Sequence, residues 1–266
     1  MKNVCKKLAI ILSLILLNTA AVAIEQNNQL AQHDLIHDKA VFAREYFNIG
    51  NSFLKLKKYQ EAIENFNLAI KYDSSFAEAY NNKAVSYREL EKNKEAIILC
   101  NTAIKYKPNF AEAYNNKGVS LAILGKYEDA LENFDIAIKY RSDNPEAYYN
   151  KGIALMNLGY IQEAIENYDI AIRYRPNYSE AYHNKGLTLA FLGQLQSAIE
   201  HFDLAIKYDP NDLNAYCNKS YVLNLLKRYS EAMESCNLAI KIDPNCADSY
   251  YIKGMIFEKL GKHQDA

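Results

Sequence analysis

The chain of 266 residues contains no tryptophan, only nine glycines and five prolines, and five cysteines. So little glycine and proline excludes a collagen-like or low-complexity protein. So few cysteines exclude a disulfide-built scaffold of this length. Neither sign of charge prevails: 31 basic residues face 32 acidic ones, for a net charge of −1. The basic excess that nucleic-acid binding draws on is therefore missing. No glycine-rich phosphate loop, nucleophile elbow or metalloprotease motif occurs. After the first 23 residues no apolar run is long enough to span a bilayer. What the chain does have is apolar surface. Half of its residues are apolar, with 22 tyrosines and 10 phenylalanines, enough to bury a core and to exclude a mostly disordered chain.

Residues 1–23 read as a secretory signal peptide. Lys2, Lys6 and Lys7 form a positive start, Leu8 to Leu17 an apolar run, and Ala21-Val22-Ala23 a small-x-small cleavage site. The run is short for a membrane span, and Asn18 ends it. Cleavage after Ala23 would leave 28 basic and 32 acidic residues, a net charge of −4. The expected location is exported, periplasmic or secreted, with no membrane insertion after cleavage. The Lys-, Asn- and Ile-rich composition suggests an AT-rich bacterial genome. Residues 24–42 form a linker or leading helix.

From residue 43 the sequence repeats every 34 residues. Tyr46, Tyr80, Tyr114, Tyr148, Tyr182, Tyr216 and Tyr250 mark the period, and six full units start at 43, 77, 111, 145, 179 and 213, with a partial seventh at 247. Numbering positions within the unit, 20 is alanine in every unit, from Ala62 to Ala266. Position 27 is alanine from Ala69 to Ala239, and 14 is leucine from Leu56 to Leu260. All nine glycines lie at position 8 or 15, and four of the five prolines at 32. Within one unit, Tyr127, Ala130, Leu131, Phe134, Ala137 and Ile138 make one helical face. A preceding helix, 112–124, ends at Gly125, whose lack of a Cβ suits a left-handed C-cap. Each unit is thus a hairpin of two short antiparallel helices. Where position 15 is Lys57, Glu91 or Lys227, the left-handed cap should cost about 1 kcal/mol relative to glycine.

This pattern closely resembles the tetratricopeptide repeat, over residues 43–266. The aromatic at position 4, the small residues at 8, 20 and 27, the aromatic near 24 (Phe66, Phe134, Tyr168, Phe202) and the proline at 32 all coincide. The sequence departs at position 24 in Cys100 and Cys236, at position 8 in Ala84 and Ser220, and at position 7, where lysine runs from Lys83 to Lys253. The resemblance implies an all-α, right-handed superhelical solenoid of antiparallel helix hairpins. The lysine column is expected on an inter-helix seam, facing Asn67, Asn101, Asp135, Asp169, Asp203 and Asn237 at position 25, or else solvent.

The resemblance also implies that the first helices line a concave groove for an extended peptide. Position 6 carries Asn48, Asn82, Asn116, Asn150, Asn184 and Asn218, whose carboxamides could hold the N–H and C=O groups of a peptide backbone. Apolar groove candidates are Val119, Ile123, Ile153, Met156, Leu187 and Phe191, joined by Tyr149 and His183. Glu78, Glu112, Glu146 and Glu180 at position 2 form an acidic rim or, equally in keeping with the sequence, ordinary first-turn acids. The expected ligand is an extended segment with apolar side chains and basic flanks. The basic clamp that co-chaperone relatives use for a chain-terminal carboxylate is missing, because position 6 is never basic.

No catalytic residue, metal site or cofactor is expected. His33 and His37 share a helical face but make a weak metal pair. Cys217, Cys236 and Cys246 are close in sequence, which leaves open a disulfide among them. The chain stops in mid-repeat at Ala266. The leading expectation is a non-catalytic interaction module, an adaptor or assembly factor with a protein or peptide partner. The alternatives are a structural protein that self-associates through an uncapped C-terminus and the targeting module of a truncated larger enzyme.

Overall fold

A computed structural model describes residues 38–261, and among them every regular element is a helix. The signal-type segment 1–23, the rest of the leader through His33 and His37, and residues 262–266 lie outside the described residues. Two compact units emerge, one ending at Lys92 and the other starting at Asn93. The first unit holds α1 (38–55), α2 (Tyr59–Tyr72) and α3 (Ala77–Glu89). Residues 38–42, assigned above to a leader, are helical and continuous with α1. The second unit holds α4 (Asn93–Tyr106), α5 (Ala111–Ile123), α6 (Tyr127–Tyr140), α7 (Pro145–Asn157), α8 (Ile161–Tyr174), α9 (Ser179–Phe191), α10 (Leu195–Tyr208), α11 (Leu213–Leu225), α12 (Tyr229–Ile242) and α13 (Ala247–Lys259).

Short connections force antiparallel neighbours, and the turns obey the cap chemistry. Gly125, Gly159, Gly193 and Gly261 end first helices at φ between 71° and 84°. Lys57, Glu91 and Lys227 occupy the same left-handed position at φ 58–61°. There the Cβ meets the following carbonyl, at about 1 kcal/mol each.

The core is built by close approach within each hairpin. Alanines at positions 20 and 27 are fully buried. Against them lies the position-24 ring, also buried: Phe66 in the first unit, and Phe134, Tyr168 and Phe202 in the second. Position 8 must then be glycine. A Cβ on Gly50, Gly118 or Gly152 would lie 2.6 Å from a ring carbon of Phe66, Phe134 or Tyr168, and one on Gly186 would lie 2.8 Å from Phe202. Where position 8 carries a side chain, position 24 has shrunk. Ser220 is paired with buried Cys236, and the sequence of the second repeat shows the same exchange as Ala84 and Cys100. Two departures from the family pattern thus go together: position 8 carries a side chain where position 24 has lost its ring.

Polar contacts fasten one repeat to the next. Tyr114 and Tyr182 donate their hydroxyls to the carbonyls of Pro108 and Pro176 in the preceding turn, at 3.3 and 3.2 Å. In the first unit Tyr80 does the same to Ser74 at 3.2 Å. The same tyrosine column stacks on a second one, as in Tyr148 on Tyr174 and Tyr182 on Tyr208, with centroids 5.8 and 5.5 Å apart. The position-7 lysines reach back to the preceding repeat. Lys151, Lys185 and Lys219 lie 2.5–2.6 Å from Asp135, Asp169 and Asp203, and Lys253 donates to Asn237 at 2.9 Å. The carboxylates are half exposed, so each pair contributes at most about 1 kcal/mol and orients more than it stabilises.

In the second unit, successive first helices touch: α5 with α7, α7 with α9, α9 with α11 and α11 with α13. The backbones of successive second helices stand farther apart, and the α10 and α12 ends meet through side chains, Arg228 donating to Gln196 at 2.9 Å. The spacing is therefore tighter on the first-helix side, which makes that face of the unit its inner one.

The position-8 constraint is testable by a double-mutant cycle. Gly152→Ser should lower stability by about 1–3 kcal/mol, as overpacking does. Tyr168→Cys added to it should leave the pair less damaged than the sum of the two single changes, as thermal unfolding would show. Additive losses would mean that the ring and the glycine do not constrain each other.

Candidate functional site

The inner face of the second unit starts from its asparagines, and these prove to have work inside the protein. Asn150 donates its amide to Asn115 Oδ1 at 3.1 Å, Asn184 to the Tyr149 hydroxyl at 2.7 Å, and Asn218 to His183 Nε2 at 3.2 Å. Each acceptor is the position-5 side chain of the preceding repeat, 35 residues back. In the first unit, where position 5 is Phe47, Asn82 turns instead to Asn51 at 2.7 Å and accepts from Asn81 at 3.0 Å. The column is thus first a lock between consecutive first helices. A carboxamide has two N–H groups and a carbonyl, so Asn150, Asn184 and Asn218 keep one donor and the oxygen for other partners.

Two cavities open on this unit. The first, about 220 Å³, is mostly apolar and lined by Val119, Ala122, Ile123, Tyr127, Phe134 and Ile153, with Asn150 and Asn157. Ile123 is 57% exposed. Such an apolar hollow with a few convergent polar groups is the usual form of a ligand site. The second, about 310 Å³, is polar and lined by Tyr149, Ser179, Glu180, His183, Asn184, Asp209, Asp212 and Asn214.

The acidity of the second cavity follows from a break in the repeat. In the third and fourth repeats the position-2 glutamate is neutralised by an arginine at position 31, Arg141 with Glu112 and Arg175 with Glu146. In the fifth, position 31 is Asp209, so the arginine partner of Glu180 is replaced by a second acid. Asp212 adds a third carboxylate, which also caps α11 by accepting from the Ala215 N–H at 3.0 Å. His183 Nδ1 lies 3.1 Å from Asp212 Oδ2, while its Nε2 accepts from Asn218. A nitrogen that accepts carries no proton, so Nδ1 holds the hydrogen and donates it to Asp212. Both ring nitrogens are occupied, leaving none to exchange a proton with a substrate. Burial and the neighbouring Glu180 push the Tyr149 phenol up to about 12, against the relief from Asn184. It stays protonated at neutral pH and can donate.

The sequence-nominated residues therefore divide. Val119, Ile123, Asn150 and Ile153 meet at the apolar cavity, and Tyr149, His183 and Asn184 at the acidic one. Asn218 reaches the second only through His183. Met156 packs beside Tyr149 and Ile153, with the Thr188 hydroxyl 3.8 Å from its sulfur. Asn116, Leu187 and Phe191 line neither cavity, although Phe191 is 71% exposed on α9. Asn82 lies in the first unit. Sequence reading missed Tyr127 and Phe134, which enter from a second helix, and the Asp209–Asp212 pair. The signal for the pair was the loss of arginine at position 31.

Antiparallel helix hairpins that recur every 34 residues define a helical-repeat protein. Sequence profiles of the tetratricopeptide repeat match residues 43–76, 77–110, 145–178, 179–212 and 213–246, with further matches at 99–132 and 120–159. The chain belongs to the tetratricopeptide-repeat family. No curated protein matches it significantly. Among solved structures it is similar to YrrB, described as a TPR protein with an unusual peptide-binding site, at 24% identity and TM-score 0.54 over 71% of this chain and 97% of that one. It is similar to PilW, a type IV pilus biogenesis factor, at 20% identity and TM-score 0.72 over 79% and 97%. It is also similar to a chain of the APC/C hetero-tetramer Cut9-Hcn1, at 20% and TM-score 0.73, covering 86% of this chain and 45% of that one. At these identities the likeness concerns the fold.

Burial alone would raise the Asp212 carboxyl, but hydrogen bonds from His183 and from the backbone of Ala215 and Asn214 outweigh it and hold it below the ordinary carboxylate value. A carboxyl depressed on folding stabilises above its unfolded value of about 3.9, and that stability is lost as pH falls through the folded value. Asp212→Asn keeps the cap and removes the charge. The variant should unfold at lower temperature than wild type at pH 7, and the gap should close between about pH 5 and 2. A gap that does not change with pH would mean that the charge contributes nothing.

Proposed function

We propose that the protein is a non-catalytic adaptor that binds an extended peptide along the first-helix face of its second unit. The supporting observation is the pairing of an apolar cavity at Val119, Ile123 and Ile153 with the acidic cavity at Glu180, Asp209 and Asp212. An apolar side chain of the ligand enters the first, and a lysine or arginine enters the second, where three carboxylates lack the arginine that neutralises the earlier repeats. Asn150 and Asn184 offer the ligand backbone their remaining donor and carbonyl. The reading gains from YrrB, a protein of the same fold described as carrying a peptide-binding site. It gains too from His183, whose nitrogens are both engaged, which speaks against acid–base chemistry.

A peptide array screened with the full-length chain tests the reading. Peptides combining an aliphatic and a basic residue should bind. Ile123→Asp, on an exposed side chain, should weaken binding about tenfold or more with helicity unchanged in circular dichroism. Asp209→Arg, which restores the arginine of the earlier repeats, should abolish the preference for basic residues. An array with no binders, or binders indifferent to both changes, would remove this face as the binding surface.

The protein acts after export, a reading supported by the Lys2–Ala23 segment. N-terminal sequencing of the mature protein from its native cells should begin at Ile24. A start at Met1 would overturn cleavage.

A further inference from the structure

In four repeats the position-5 and position-34 side chains meet, and the chemistry of the meeting changes from repeat to repeat. In the first unit Phe47 and Phe76 are 4.8 Å apart by ring centroid. In the second unit Tyr149 meets Tyr178 at 5.0 Å, and His183 meets Asp212 at 3.1 Å. In the sixth repeat the pair is Cys217 and Cys246, with their sulfurs 3.4 Å apart. Cys217 sits in the first turns of α11, and Cys246 caps α13 after the Asp243–Asn245 turn. The Ser249 hydroxyl lies 3.2 Å from the Cys246 sulfur and 3.4 Å from that of Cys217. Cys236, the third candidate from sequence, lies instead in the position-24 column, fully buried.

We propose that Cys217 and Cys246 are a disulfide-forming pair, oxidised by thiol–disulfide exchange with an external disulfide of the glutathione or thiol-oxidoreductase class. Cys246 reacts first. Burial raises its thiol, but the Ser249 hydroxyl and backbone N–H, with Cys217, outweigh this and bring it below the ordinary thiol value. Burial is the largest influence on Cys217 and pushes it well up. Cys246 is only 6% exposed, so attack follows local opening of the 243–246 turn that carries it. Its thiolate attacks one sulfur of the external disulfide, a new S–S bond forms, and one external thiolate leaves with the electron pair and takes up a proton. Cys217 then gives its proton to solvent and attacks Cys246 Sγ, expelling the second external thiol. Two cysteines are oxidised by two electrons, and one external disulfide is reduced to two thiols. The cross-link encloses all of α12 and ties α11 to the start of α13.

The test exposes the folded full-length chain to oxidised glutathione and maps its peptides without reduction. Wild type should yield one intramolecular Cys217–Cys246 peptide, and its Tm should rise by about 5 °C and return on reduction. Cys217→Ala should stop as a glutathione adduct on Cys246, because the resolving thiol is gone. Cys246→Ala should give neither cross-link nor adduct. Cysteines that remain reduced in wild type, or a link through Cys236 or between chains, would overturn the proposal independently of any variant. An adduct on Cys217 in Cys246→Ala would overturn the order of attack. A cross-link with unchanged Tm would overturn its role as a staple. None of these outcomes depends on the peptide-binding reading.

Discussion

The hairpins rest on one contact: a buried ring from the second helix laid against a first-helix backbone that has no side chain at that point. The ring carbons stand where a Cβ would be, 2.6–2.8 Å away. That approach brings the alanines of positions 20 and 27 into full burial beside the rings of Phe66, Phe134, Tyr168 and Phe202, and aliphatic side chains such as Ile199, Leu223 and Ile256 fill out the core. Interiors packed at this density transmit a change of one methyl group. Beside Ser220 the ring is replaced by cysteine, so the room that glycine leaves for a ring is not required there.

Between repeats the fastening is polar. The hydroxyls of Tyr80, Tyr114 and Tyr182 find a carbonyl of the preceding turn, each position-7 lysine from Lys151 onward finds a position-25 partner, and asparagines from Asn150 onward find position 5. Single bonds of this kind contribute only about 0.5–1.5 kcal/mol. Repeated along a stack in which each repeat contacts only its neighbours, they set register and spacing. Much of the high tyrosine and asparagine content is explained by this fastening before any ligand is considered.

The chemistry that sets one repeat apart from the next lies where the repetition fails. The arginines that neutralise Glu112 and Glu146 give way to Asp209 beside Glu180, and an acidic hollow results. The position-5 column runs through phenylalanine, asparagine, tyrosine, histidine and cysteine while its neighbours at 4 and 6 stay constant. Regular columns hold the helices, and the irregular position-5 column differs from repeat to repeat in the partner it meets inside the protein.

Sequence alone determined the period, the helices, the left-handed caps at Gly125 or Lys227, and the buried columns at 20, 24 and 27. These follow from local conformational preference and from which face of a helix is apolar, and both are written in the spacing of residues. Tertiary structure decided the partners. Periodicity places Asn184 on the inner face but cannot say that it meets Tyr149. Nor can it say that Cys217 faces Cys246 and not Cys236, or that Leu187 and Phe191 stay outside the cavities that Ile123 and Ile153 enter. Those pairings depend on the rotation and rise between consecutive helices, which are set by how closely the backbones approach. That approach is a property of packed pairs, and no single stretch of sequence carries it.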